Sequence, residues 1–169
     1  FQPPSSVAAY TSEPALRLLP GGLQSVVETP PMQPGAAWLP DDAALRHPML
    51  KAFRDWKLRG NVDVIVDPRR AWKYWAVSPT DGSIVVSYDD AENPKDRHPA
   101  VLERAVGAKG GKVVLLTTRM DITPEEQKWN NYWDLDGHSW GVVFPNLLMR
   151  YLVGDPTDAN FNFATGQPV

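Results

Sequence analysis

The chain of 169 residues contains no cysteine. This absence excludes disulfides, thiolate-ligated zinc and cysteine nucleophiles from its chemistry. An excess of positive charge is also lacking, because 20 aspartates and glutamates outnumber 17 lysines and arginines for a net charge of −3. Nucleic-acid-binding surfaces depend on a basic stripe or face. We therefore expect no nucleic acid among the partners.

The sequence has no apolar run of the roughly 18 residues that a transmembrane helix needs. Its first residues, FQPPSSVAAY, have neither a methionine nor the charged-then-apolar order of a signal peptide. We expect the chain to be part of a longer protein. A P-loop is missing as well, because GAKGG at residues 107–111 lacks the Lys-Ser/Thr ending and precedes a strand pattern. No nucleotide, metal or other cofactor is expected.

The composition is typical of a folded globular domain, with 43% hydrophobic and 22% charged residues. We expect one domain over residues 1–155, followed at 156–169 by an exit linker or the start of another domain. The 17 prolines, about twice the ordinary usage, are concentrated in the first 40 positions and in later loops. They predict an irregular first third.

Periodicity after residue 20 indicates both strands and helices. Apolar spacing predicts helices at residues 47–56 and 142–154, the second of them capped by Gly154. Alternating, β-branched and aromatic runs predict strands at 23–29, 62–66, 71–78 and 83–90. The turn SPTDG joins the last two, which predicts an antiparallel hairpin or meander. The segment PAVLERAV fits one helical turn or a strand, and KVVLLTT is typical of a strand covered on both faces.

Four segments of the chain together resemble a known protein family. PAVLERAVG, GKVVLLTT, the Trp-Asn loop at Trp129 and Asn130, and FPNLLMRYLVG are similar to the C-terminal part of the class I glutamine amidotransferase-like domain. That domain occurs in large bacterial membrane-anchored proteins that also carry von Willebrand factor A domains. HPML-x-x-F at residues 47–53 also matches, and the resemblance extends over residues 7–169.

The resemblance implies a flavodoxin-like α/β fold, in which helices cover a largely parallel sheet. The fold is expected to be partial, because its first strands would precede Phe1, and to carry the antiparallel hairpin as an insertion. Active amidotransferases attack through a cysteine thiolate that a histidine and a carboxylate support. This chain has no cysteine, and Ser139 and Trp140 follow His138 where the family has a His-x-Glu pair.

The resemblance therefore implies a degenerate, noncatalytic module with a structural or protein-interaction role. Its expected partners are other domains of the same polypeptide or a separate protein. By the same resemblance, the module is expected at the extracytoplasmic, periplasmic face of a bacterial membrane. Contact with that membrane is expected only through parts outside this chain.

The stretch WNNYWDLDGHSW at residues 129–140 contains the candidate site. Asp134, Asp136 and His138 alternate, so in an extended loop their side chains point the same way. They are the candidate polar groups of an alternative function, a hydrolase that acts on a small or carbohydrate substrate. Calcium binding by these three side chains is not favoured, because a calcium-binding loop of the EF-hand type would need a further glutamate downstream. The other interpretation is a turn that caps the following helix.

The tryptophans of this stretch also have two interpretations. Trp129, Trp133 and Trp140 are candidates for a stacking surface, which predicts a carbohydrate-binding module or a contact with a protein. The other interpretation is that they pack beneath the last helix. With the amide beside Trp129, the candidate binding residues are Trp129, Asn130, Trp133, Asp134, Asp136, His138 and Trp140.

Overall fold

The computed structural model of this chain describes residues 18–30, 33–38, 41–60, 69–89, 97–108, 110–120, 128–133 and 140–154. Its strands are β1 (Gly21–Glu28), β2 (Ala36–Trp38), β3 (Arg69–Ala71), β4 (Lys73–Pro79), β5 (Ser83–Asp89), β6 (Pro99–Val106) and β7 (Gly111–Leu116). Its α-helices are α1 (Lys51–Leu58) and α2 (Trp140–Val153). Two short 3-10 turns, Ala44–Arg46 and Pro48–Leu50, precede α1.

Every strand pair in this part of the chain is antiparallel. Five strands form a curled half-barrel in the order β3-β2-β5-β6-β7, and β1 pairs with β4. The expected flavodoxin-like α/β fold is therefore wrong. A parallel sheet needs a long crossover between neighbouring strands, whereas only residues 107–110 separate β6 from β7. Gly107 and Gly110 there have positive φ angles of 70° and 71°, which suits a tight turn.

The expected antiparallel hairpin is also wrong, although both of its strands exist. β4 and β5 are consecutive in the chain, but β4 pairs with β1, and β5 pairs with β2 and β6. A strand has only two edges for hydrogen bonding. Backbone bonds to Trp129 and Thr117 engage the side of β4 that β1 leaves open, so no edge of β4 remains for β5.

The apolar run KVVLLTT forms β7, but its strand is not covered on both faces. Its residues from Val113 to Leu116 are half-buried, and only Thr117 and Thr118 beyond them are fully buried. The Trp75 N–H donates to the Thr117 carbonyl at 2.8 Å, and the Thr118 hydroxyl donates to the Lys73 carbonyl at 2.9 Å. These bonds connect the end of β7 to β4 and curl the sheet.

The core lies between the curled sheet and the two helices, and it is rich in aromatic side chains. Trp38 of β2 contacts Trp140 and Phe144 of α2 edge-on, at ring-centroid distances of 5.2 and 5.5 Å. Phe53 of α1 packs against the same group, 5.9 Å from Trp38. Burial of each such ring contributes about 2 to 3 kcal/mol. These contacts fix α2 over the sheet.

Both predicted helices exist, with shifted starts. The first begins at Lys51 instead of residue 47. His47 has an extended backbone, and its imidazole accepts the Met49 N–H as the N-cap of the 3-10 turn that precedes the helix. The second begins at Trp140, two residues before the predicted segment at 142–154. Neither helix in the described ranges is long and apolar enough to cross a membrane. The predicted strand at 62–66 lies outside the described residues.

Candidate functional site

Residues 128–133 lie along β3 and the start of β4. The Trp129 carbonyl accepts the N–H groups of Trp72 and Lys73 at 2.8 and 3.1 Å. Asn131 exchanges two bonds with Arg70, in which its N–H donates to the Arg70 carbonyl and its side-chain oxygen accepts the Arg70 N–H at 2.7 Å. The segment therefore acts as a short added strand, and its backbone polar groups are engaged in holding it there.

Asn130 occupies the centre of this segment, and its side chain is buried. Its amide nitrogen donates to the Arg119 carbonyl at 2.6 Å and to the Thr118 hydroxyl at 3.1 Å. Its amide oxygen accepts the Tyr132 N–H at 3.0 Å. Because an amide of this kind supplies two donors and one acceptor group, these three bonds use both of its ends. Asn130 joins the end of β7 to the 128–133 segment.

Trp140 is almost completely buried, with 2% of its surface exposed. Its ring stacks on Phe144 at 4.6 Å and lies 4.4 Å from the Tyr132 ring. It therefore has no free face on which a sugar could stack. This position matches the interpretation in which the ring packs beneath the last helix.

Trp133 and Trp129 are half-buried beside it. A Cβ added to Gly141 would lie 2.7 Å from the Trp133 ring and 2.7 Å from the Tyr132 carbonyl. The first turn of α2 thus depends on glycine for its close approach to this segment. The Trp133 ring N–H is buried and has no acceptor among the described residues, while the Trp129 ring lies 5.8 Å from the Arg119 guanidinium.

The structure thus places three of the seven predicted site residues, Trp129, Asn130 and Trp133, in the segment 128–133, whose end at Tyr132 and Trp133 contacts the first turn of α2 with Trp140. Asp134, Asp136 and His138 lie outside the described residues. No group of three or more potential metal ligands occurs in the described part of the chain. The part of the candidate loop that the structure describes packs within the fold.

A second polar cluster lies at the opposite end of α2. The Tyr151 hydroxyl donates to Glu103 Oε2 at 2.7 Å, and His47 Nε2 lies 3.4 Å from the same oxygen. Lys112 Nζ lies 3.7 Å from the centroid of the Tyr151 ring. We call these four residues the Glu103 cluster. Sequence reasoning missed it, because its members are separated by 9 to 56 positions and share no spacing signal.

The electrostatics of the Glu103 cluster favour a neutral histidine. Burial lowers the pKa of His47, and Lys112 lowers it further, while the Glu103 carboxylate opposes both. Burial, together with the bond to Glu103, raises the pKa of Tyr151 far above its usual range. His47 Nδ1 accepts the Met49 N–H at 3.4 Å, so the ring proton resides on Nε2 beside Glu103. Both ring nitrogens are engaged, which leaves none free as a general base.

His47 also borders an open cleft of about 800 Å³ between the first 3-10 turn and β5. Asp42 and Lys57 form an ion pair there at 2.8 Å, and the side chain of Asp41 caps the Ala44 N–H at 2.7 Å. The charged residues that line the cleft are Asp41, Asp42, Arg46, Lys57, Asp89 and Arg97. Three acids face three bases, so the cleft has no net charge to select a ligand.

The outward face of α2 is apolar. Val142, Met149 and Val153 are 67%, 60% and 74% exposed, and Asn146 is exposed between them. We call these four residues the α2 stripe. They are spaced four, three and four residues apart, so they lie along one face of the helix. Phe144, at 0% exposure, lies on the opposite face in the core.

No protein-family model, no curated protein and no solved structure was found to match this chain.

Proposed function

We propose that this chain is a noncatalytic protein-interaction module and that the α2 stripe is its contact surface. The observation that carries the proposal is the composition of α2. A surface helix of a globular protein normally turns charged and polar residues to solvent. The α2 stripe instead turns two valines and a methionine outward, and the whole helix contains one charged residue, Arg150.

The engagement of polar groups at both ends of α2 supports a noncatalytic role. Asn130 makes three hydrogen bonds within the fold at one end. His47 and Tyr151 both contact Glu103 at the other. Hydrolytic chemistry needs a base or nucleophile that can reach a substrate. These groups instead hold α2 against the sheet. The outer face of α2 is therefore a rigid surface.

We further propose the setting that the sequence resemblance implied, a longer membrane-anchored bacterial protein in which this module faces the extracytoplasmic side. The segments GKVVLLTT and FPNLLMRYLVG support this setting. The partner is then another domain of the same polypeptide or a separate protein. Either would cover an aliphatic surface that otherwise costs about 25 cal/mol for each Å² left in water.

Site-specific photo-crosslinking in the full-length protein tests the contact surface. A photoreactive residue at Met149 is expected to form defined protein adducts or intramolecular domain crosslinks. The matched control is Leu58, which is 78% exposed near the end of α1 but outside the α2 stripe. A Met149 probe that gives no more adducts than the Leu58 probe would overturn the proposed function.

A further inference from the structure

We infer that the α2 stripe is covered by α2 of a second copy of this chain, with the two Asn146 side chains facing each other near a two-fold axis. This inference rests on the proposed function, which makes the stripe a contact surface, and it adds the identity of the occupant. Three properties of the stripe point to a copy of itself: its spacing, its central amide and its lack of charge.

The spacing fits a helix as occupant. From Val142 to Val153 the stripe runs for about 17 Å along one face, at 1.5 Å per residue. Leu152 borders it at 36% exposure. Side chains that recur after three and four residues form the seam by which two helices pack side by side. A second helix therefore matches the length and width of the exposed surface.

The central amide favours an identical helix. If an aliphatic surface covered Asn146, its amide would lose water without gaining a partner, at a cost of about 1 to 3 kcal/mol. A second Asn146 supplies both a donor and an acceptor. Single asparagines at helix seams select pairing by this means. Of the occupants that could cover the stripe, a copy of α2 satisfies this amide and buries the same aliphatic groups.

The charge distribution does not oppose self-pairing. Helix α2 has no acidic residue, and its one basic residue, the exposed Arg150, lies one turn after Asn146 at the edge of the stripe, on the side away from Leu152. Proteins that avoid pairing with themselves place like charges or unpaired polar groups across the seam. The α2 stripe has no like charges, so two copies can meet without repulsion along it.

The small size of the α2 stripe limits the expected affinity of the dimer. A helix of 14 residues is only about 21 Å long, so a contact along α2 alone is small. Stable interfaces bury about 800 Å² on each partner. The expected dimer is therefore weak and forms in a concentration-dependent way, with dissociation in the high micromolar range.

Sedimentation equilibrium of the full chain, from low micromolar to millimolar concentration, tests this inference. We expect a monomer-dimer equilibrium that Met149→Asp weakens at least about tenfold, a change of about 1.4 kcal/mol. Leu58→Asp is the matched control and should leave the equilibrium unchanged. A mixture of Met149→Lys and Met149→Glu should associate more strongly than either variant alone. Thermal unfolding of each variant checks that it is folded.

Disulfide crosslinking tests the position of the axis. Because the chain has no cysteine, Asn146→Cys introduces a single thiol, and two thiols can bond only if their Cα atoms approach within about 7 Å. We expect rapid formation of a disulfide-linked dimer, and much slower formation with Leu58→Cys. Equal rates for the two variants would show that Asn146 is not at an axis.

The outcomes separate the two proposals. A wild-type chain that stays monomeric at millimolar concentration overturns the self-pairing. If the Met149 photo-probe then captures a different protein or domain, the proposed function stands with another occupant. If neither association nor specific adducts occur, both proposals fail.

Discussion

The two ends of α2 are held to the same sheet by different chemistry. At its start, neutral groups are closely packed: Asn130 makes three hydrogen bonds, and Gly141 lies against the Trp133 ring. At its end, the ionisable Glu103 cluster holds Tyr151 in a partly exposed setting. The first end depends on shape, and the second depends on charge. The start should therefore tolerate pH changes but not changes in volume, and the end should show the reverse.

The largest effect is expected at the start of α2 from Gly141→Ala. The added methyl would meet the Trp133 ring and the Tyr132 carbonyl at 2.7 Å, and overpacking of this kind costs about 2 to 3 kcal/mol. Urea unfolding measures the loss. Gly22→Ala is the control, because a Cβ at Gly22 meets nothing within 4 Å. Equal losses in the two variants would contradict the close packing at Gly141.

Asn130→Ala is expected to cost about 2 kcal/mol in the free energy of unfolding. The change removes the hydrogen bonds to the part-buried Arg119 carbonyl and to the buried Tyr132 N–H, and loss of the acceptor for a buried N–H is costly. Asn146→Ala, on the exposed face of α2, serves as the control in dilute solution and should cost less than about 0.5 kcal/mol. If the two losses agree, the Asn130 network does not stabilise the start of α2.

Tyr151→Phe tests the other end and should cost about 1 kcal/mol. The variant keeps the ring beside Lys112 but removes the hydroxyl that donates to Glu103. Hydrogen exchange should show faster opening of the last turn of α2, while the first turn stays protected. Uniform loss of protection along the helix would argue against two separately held ends.

The smallest expected effect is the pH dependence at His47. Burial lowers its pKa in the folded protein, so the unfolded chain binds a proton more readily. The contribution of His47 is therefore present above its unfolded pKa of about 6.5 and is lost as the pH falls through the lower folded value. The Glu103 carboxylate opposes this shift, and Lys112 adds to it.

Unfolding free energies at neutral pH and at about pH 5, on the two sides of the reference histidine pKa, measure this effect. His47→Gln should lose less stability on acidification than the wild type, because glutamine does not titrate in this range. The packed start of α2 has no such group among its described residues, so Gly141→Ala should retain the pH dependence of the wild type. If the stability of His47→Gln depends on pH as the wild type does, a titratable group other than His47 causes the effect.

Local pattern predicted much of the element content. Strands occur near the predicted positions for β1, β4, β5 and β7, and the inward face of the last helix contains Phe144 and Tyr151, as its spacing indicated. The segment PAVLERAV, which was open between helix and strand, is β6, because its pairing with β7 from Val101 to Val106 fixes it as extended. Alternation and helical spacing are properties of neighbouring residues, so sequence alone conveys them.

Strand partners could not be predicted in the same way. Whether β4 pairs with β5 or with β1 depends on which backbone edges are free after Trp129 and Thr117 have bonded to β4. The resemblance to a parallel-sheet family led to the wrong fold, because the same apolar strand can serve in a parallel or an antiparallel sheet. Of the candidate site, Trp133 and Trp140 lie at the start of α2, whereas Asp134, Asp136 and His138 fall outside the described residues, so its binding role stays a prediction.

The sequence by itself determined the exclusion of cysteine chemistry, the small negative net charge and the positions of most described strands and of both described helices, because these depend on composition and on short-range periodicity. Only the tertiary structure decided which strands pair, and that Asn130 and Glu103 hold the two ends of α2. It also decided which face of α2 remains outside. The spacing in that helix indicated the buried face that holds Phe144, but the aliphatic residues on its other side gave no sign that they would stay in solvent. The curved sheet, by covering Trp140 and Phe144, left the α2 stripe exposed.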